Sequence, residues 1–196
     1  MFNLAAELTT DSLGSTLDAL DRGREKADKA LNTAVKITAF RAKNLLQKEI
    51  RGGTVGAKKT EPLSYIARRL WGRSPNRAPL RSLATGVRYA VRDKKPYTMA
   101  VGFIPERSGG WIKTAEKHQK GFERTISHGQ RKLIVGRGGR LGVAEGSNTP
   151  FFLKRSTKKF KTPGRPLVAP FWAHHHDQFQ KNIAKNFKAK MAGKRI

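Results

Sequence analysis

Residues 83–103, LATGVRYAVRDKKPYTMAVGF, decide the fold class. Thr85, Val87, Tyr89 and Val91 alternate with Ala84, Arg88, Ala90 and Arg92, a polar Asp93-Lys94-Lys95-Pro96 turn follows, and Tyr97, Met99, Val101 and Phe103 resume the alternation. Side chains two residues apart share one face of a strand, so this period is that of an antiparallel hairpin. To either side the apolar spacing becomes helical. After Ser15, with Asp18 as its capping partner, Leu20, Ala27, Leu31, Ala34, Val35, Thr38, Ala42, Leu45 and Leu46 recur near 3.6-residue spacing as far as Ile50. This is a long amphipathic helix, closed by Gly52-Gly53.

Residues 52–60, GGTVGAKKT, read as a loop, and Pro62 opens a short helix bearing Leu63, Ile66, Ala67, Leu70 and Trp71. Beyond the hairpin, Ser108-Gly109-Gly110 breaks the pattern before a short helix from Trp111 to Gly121. Residues 123–163 carry turns and basic clusters between the apolar pieces Leu133–Val135 and Phe151–Leu153, which reads as a second hairpin. After Arg165-Pro166 a terminal amphipathic helix places Trp172, His176, Phe179, Ile183, Phe187 and Met191 on one face. Trp172, Phe179, Ile183 and Phe187 make that face a core or assembly element. The expected fold is α+β: a small antiparallel sheet packed by the long N-terminal helix and the C-terminal helix, with a basic loop insertion. Residues 1–17 form an arm, 18–192 a single domain with its variable basic hairpin at 124–163, and 193–196 a basic tail.

Composition narrows the function. The chain has 196 residues, room for one core. Its charged fraction of 28% is ordinary, but 41 Lys and Arg face 14 Asp and Glu, a formal charge of +27. Residues 1–61 hold 11 of the bases and 8 of the acids, so the first third is near +3 and the remainder near +24. Such an excess requires a polyanion, an acidic partner or widely spaced charges. The chain contains no cysteine, which excludes disulfides, Cys-ligated zinc and a thiol nucleophile. The N-terminal residues lack the pattern of a signal peptide, and no run reaches the length of a membrane span, so a soluble protein made inside a cell is expected, with no membrane contact.

The candidate chemical motifs are weak. His174-His175-His176 suggests a metal, yet consecutive helical residues point about 100° apart and cannot converge on one ion. Packing or interface roles suit them better, and Asp177 does not complete a ligand set. Gly136-Arg137-Gly138-Gly139-Arg140 lacks the Lys-Ser or Lys-Thr ending of a P-loop and reads as a flexible basic loop. Glu116, His118 and Glu123 are solvated charges rather than an acid–base set, and no nucleophile motif is present. No enzyme, cofactor or metal site is expected. Arg131, Lys132, Arg137, Arg140, Lys154, Arg155, Lys158 and Lys159 are candidates for contact with DNA or an acidic partner.

At two places the sequence resembles the bacteriophage virion-morphogenesis and tail-completion family of small neck proteins. Ala115-Glu-Lys-His118-Gln119-Lys-Gly121 is similar to that family's alanine, His-Gln and glycine segment after the central hairpin. Pro163-Gly-Arg165-Pro166-Leu167 is similar to its Arg-Pro turn before the last helix, with Leu167 standing where the family carries an aromatic. The order of elements agrees over roughly residues 25–190. The resemblance implies a non-enzymatic homo-oligomer, a ring of six at the head–tail junction of the virion, assembled in the host cytoplasm. Its partners would be other neck, portal-side and tail-tube proteins, with nonspecific DNA contact. Independently of the family, proline fixes the corner into the helix, and arginine offers a five-donor fork to tie it down. The alternative is a stand-alone, sequence-nonspecific nucleic-acid-binding protein, favoured by charge but lacking an aromatic stacking motif. A nuclease lacks the clustered carboxylates needed to hold metal ions.

Overall fold

In the computed structural model, which describes residues 10–60, 80–94, 96–128 and 158–196 and side chains from Asp21 onward, the first element is helix α1, Thr10–Gly52. It begins before Ser15, so residues 10–17 are helical turns rather than an arm. Thr10, Asp11 and Ser12 are all N-cap residue types, and extending a formed helix adds one hydrogen bond per residue, which offsets the cost of Gly14. Ala30, Ala34, Thr38, Ala42, Leu46 and Ile50 are buried at every fourth position. On a 3.6-residue helix that spacing turns the stripe about 40° per step, so the buried face winds around α1. Gly53, with φ 77°, ends it and donates its N–H to Ile50 O at 3.3 Å.

The expected loop at 52–60 is instead a small hairpin, β1 Thr54–Val55 with β2 Lys58–Lys59. Its two central residues, Gly56 (φ 56°) and Ala57 (φ 60°), both lie at positive φ, as a type I′ connection requires. The expected strand from Leu83 is also displaced. Residues Arg81–Gly86 form a 3-10 helix, and β3 begins at Arg88. Leu83 and Ala84 are adjacent and both buried, which a strand facing the core on one side cannot provide. β3 (Arg88–Val91) pairs with β4 (Met99–Gly102), and Arg92 N donates to Thr98 O at 2.9 Å between them.

A single helical turn, α2 (Pro105–Ser108), then precedes the Gly109-Gly110 break, with proline in its first turn and Ile104 N donating to Ser108 Oγ. Helix α3 spans Trp111–Lys120. Strands β5 (Phe122–Thr125) and β6 (Lys159–Thr162) pair antiparallel, with Phe122 opposite Thr162 and Thr125 opposite Lys159. Helix α4, Val168–Met191, closes the chain. Gly193 N bonds Lys190 O and Lys194 N bonds Ala189 O, so the first residues of the basic tail cap α4 in a Schellman motif. The architecture is α+β, as the sequence indicates. The short helix expected after Pro62 and the pieces Leu133–Val135 and Phe151–Leu153 lie outside the described residues.

The chain divides into two compact units. One takes α1 through Arg41, residues 90–100 and α4 from Asp177. Within it Ala30, Ala34, Val35, Thr38 and Ala39 are buried together with Phe179 and Asn186. The other takes residues 42–89 and 101–176, with Leu46, Ile50, Val55, Leu83, Val87, Leu167 and Phe171 at its core. Among the described residues no helix is long and apolar enough to cross a membrane.

In the first unit Asn186, 3% exposed, donates from Nδ2 to Thr38 Oγ1 at 3.2 Å, and that hydroxyl donates to Ala34 O at 2.9 Å. Buried polar groups of this kind stabilise only while paired. Asn186→Ala should cost about 1–3 kcal/mol in urea unfolding, because it strips an acceptor of its donor and leaves a void. At the surface of the same unit, hydrogen bonds from Lys36 (2.8 Å) and from Asn32 hold the Asp93 carboxyl below its ordinary range. A depressed folded-state pKa stabilises the fold above the unfolded carboxylate value, and this is lost as pH falls through the lower folded value. The unfolding midpoints of the parent and Asp93→Asn should therefore differ at about pH 6 and converge as the carboxylate range is crossed toward acid.

Candidate functional site

Two short segments far apart in the chain meet in the second unit. Ala115 on α3 is buried, which directs the helix's other faces outward and leaves His118 and Gln119 half-buried near its end. Gly121, with φ 78°, stops α3 and turns the chain into β5. On the other side β6 runs into Pro163-Gly164-Arg165-Pro166. Because Phe122 pairs with Thr162, the ladder delivers the Arg-Pro corner to the end of α3. There Arg165 N donates to His118 O at 2.7 Å. A Cβ on Gly164 would lie 2.8 Å from Gln119 O, and one on Gly121 would lie 2.8 Å from Gly164 N. The backbones thus approach closer than any side-chain-bearing residue allows. His118 also stands edge-on to Phe122, ring centroids 5.3 Å apart. Arg165 is 4% exposed, whereas Pro166 lies at the surface.

The corner leads into α4 through Leu167 and Phe171, both fully buried. Beside them is a constellation that sequence reading missed. Glu49 of α1 accepts the Gly56 N–H on Oε2 at 2.8 Å, and its Oε1 lies 2.6 Å from His175 Nε2. Both side chains are less than one-fifth exposed, and the His175 ring is tilted on Phe171 at 4.9 Å. Gly56 sits against the first turn of α4 so tightly that a Cβ there would fall 2.1 Å from Pro170 O. The pair His175 and Glu49 is separated by 126 residues, so no local pattern announces it. Gly56-Ala57 between Thr54-Val55 and Lys58-Lys59 was the available clue, a two-residue connection with glycine leading.

Of the three histidines, His175 turns inward to Glu49, while His174 and His176 are exposed, the His174 ring standing edge-on to His175 at 4.6 Å. Among the described residues no group of three or more His, Cys, Asp or Glu could hold a metal ion. On α4, Trp172 is half-buried and donates from Nε1 to Val101 O at 3.3 Å. Phe179 is buried, Ile183 and Phe187 are half-buried, and His176, expected on the same face, is not. The fully buried positions of α4 include Phe171 and Asn186, which the periodicity did not single out.

Of the candidate cationic contacts, Lys158 and Lys159 are exposed on and beside β6, with Lys159 3.5 Å from Glu123. Arg131, Lys132, Arg137, Arg140, Lys154 and Arg155 lie outside the described residues. Two further basic features appear. In the first unit Arg22, Lys26 and Lys29 of α1 and Lys190 of α4 edge a groove of about 420 Å³, where Glu25 pairs with Lys29. In the second, a smaller recess lies beside the Arg-Pro corner.

Neither a protein family, a curated protein nor a solved structure matches the chain.

The close approach of the two segments makes a specific demand on Gly164. Gly164→Ala should destabilise by about 1–3 kcal/mol in denaturant unfolding, since the neighbour it meets is a backbone carbonyl. Gly23→Ala on α1, where nothing lies within 4 Å of the added methyl, should instead stabilise by about 0.5–1 kcal/mol.

Proposed function

We propose that this chain is a structural virion protein of the bacteriophage neck, one copy in a ring of six that completes or terminates the tail and joins it to the head around the DNA path. One observation carries the reading. The two segments that resemble the tail-completion family, Ala115 to Gly121 and Pro163 to Leu167, are in direct backbone contact through Arg165 N and His118 O. The β5/β6 ladder brings the two segments together at the end of α3. The element order supports the same reading, with a long N-terminal helix, a hairpin, the His-Gln helix, an insertion closed at its base by β5 and β6, and the Arg-Pro corner before the last helix. In this role Ala115 and the glycines hold the corner, α4 supplies core and subunit contact, and no catalysis is assigned. Portal-side and tail-tube proteins are the partners.

A second reading, a stand-alone sequence-nonspecific nucleic-acid-binding protein, is favoured by the basic groove along α1. The two differ in what the charge does. Chains of +27 repel one another, and a polyanion or acidic neighbour relieves that repulsion by charge complementation and counterion release. The isolated protein should therefore be monomeric at about 20 mM salt, where the Debye length exceeds ~10 Å, and should bind DNA without sequence preference and more weakly as salt rises. Native mass spectrometry and electron microscopy with DNA or an acidic partner should then give closed rings of one stoichiometry. Monomers at every salt concentration and on every DNA would leave the second reading in place of the first.

A further inference from the structure

Beyond Asp177 the chain carries no acid: residues 178–196 hold Lys181, Lys185, Lys188, Lys190, Lys194 and Arg195 with no Asp or Glu, and each of these cations is exposed. The stretch, most of it α4, belongs to the first unit. At about 100° per residue, Lys181, Lys185 and Lys188 fall within roughly 60° of one another around α4, on the side opposite the buried Phe179 and Asn186. They make one outward ridge about 10 Å long. Among the described residues no ion pair or hydrogen bond engages their ammonium groups, and Asp177, one turn before Lys181, is itself engaged.

Local stability does not account for the ridge. Cations complement the helix dipole only within the last turn, which covers Lys188 and Lys190 but not Lys181 and Lys185. Like charges three and four positions apart disfavour the helix that carries them. On α3, Lys113, Lys117 and Lys120 have the same spacing, but Glu116 stands among them. The α4 ridge has no acid between its lysines, and an external polyanion relieves its repulsion. We propose that Lys181, Lys185 and Lys188 lie along the phosphate backbone of double-stranded DNA and hold it without reading its sequence. This rests on the DNA contact expected of the chain above, and not on its forming a ring.

The composition of the face selects that polyanion. Gln178 and Ala184 flank the ridge, and neither is aromatic. The cores of protein interfaces are depleted in lysine and enriched in aromatics, and single-strand sites stack bases on aromatic rings. A bilayer takes up the apolar face of a basic helix, and in α4 that face is occupied by the core through Phe179. A row of point charges remains. A duplex carries one negative charge per ~1.7 Å of its axis, so a ridge of this length meets several phosphates in any register. Contacts to phosphate oxygens position a protein and carry no base preference.

Fluorescence anisotropy on the full chain tests this with two unrelated duplexes of about 20 base pairs, at salt from about 50 to about 200 mM. The parent should bind both alike. Each phosphate contact contributes about 0.9 to the steepness of log K against log salt, so Lys181→Gln with Lys185→Gln and Lys188→Gln should reduce it by about 2 to 3. Lys113→Gln with Lys117→Gln and Lys120→Gln on α3 removes the same charge and should leave the steepness as in the parent. Circular dichroism checks that the α4 variant is folded, and if it is not, Lys181→Gln with Lys185→Gln serves, with a reduction of about 2. The assignment is overturned if the parent does not bind the duplexes or if the two triple variants lower the steepness equally. It is also overturned if an oligoglutamate peptide, or vesicles of phosphatidylserine and phosphatidylcholine, displace the duplex at a lower concentration of negative charge. An α4 variant that keeps the parent's steepness yet forms rings on DNA would remove the ridge and leave the neck reading. A reduced steepness in a chain that stays monomeric would do the reverse.

Discussion

Between the end of α3 and the corner before α4, two stretches of backbone lie closer than one methyl group would permit, and the hydrogen bond from Arg165 N to His118 O spans the gap. Much of the second unit follows from that approach. It requires glycine at Gly121 and Gly164, and it brings β5 and β6 into register at Phe122 and Thr162. The insertion from Ile126 to Lys158 therefore leaves and returns at one place, sealed by Ile126 N on Lys158 O. It also sets the start of α4, which places Leu167 and Phe171 in the core and Pro170 against the hairpin turn. Arg165 at this corner is 4% exposed, and its backbone N–H is tied to His118 O.

The Glu49 carboxylate has a complementary role. It bonds the Gly56 N–H at the tip of the β1/β2 hairpin and His175 on α4, so one side chain of α1 joins three pieces of chain. A two-stranded hairpin this short is marginal alone, and its stability comes from what it packs against. The turn conformation, with Ala57 at positive φ, is held by that anchoring and not by local preference.

Charge plays a different part. The chain has 41 basic residues, and acids at the surface pair with a few of them, Glu25 with Lys29, Asp93 with Lys36 and Glu123 with Lys159. Exposed pairs of this type add little to stability. Basic residues also line two concave places, the α1 groove and the recess at Arg165.

Read alone, the sequence determined the α+β class, the two long helices, the central hairpin and the end of α3 at Gly121, because hydrophobic period, proline and glycine act over a few residues. It also singled out the His-Gln segment and the Arg-Pro corner. It misplaced the start of β3, where buried neighbours Leu83 and Ala84 form a 3-10 turn, and it overlooked the β1/β2 hairpin, whose strands are too short to show a period. It could not reveal that Glu49 meets His175, that Asn186 meets Thr38, or that Lys58, Lys59 and Arg165 wall one recess. Those pairings join residues far apart in the chain, and a side chain's partner over such a distance is chosen by which backbones can approach, a property of the packed tertiary structure and not of any local stretch of residues.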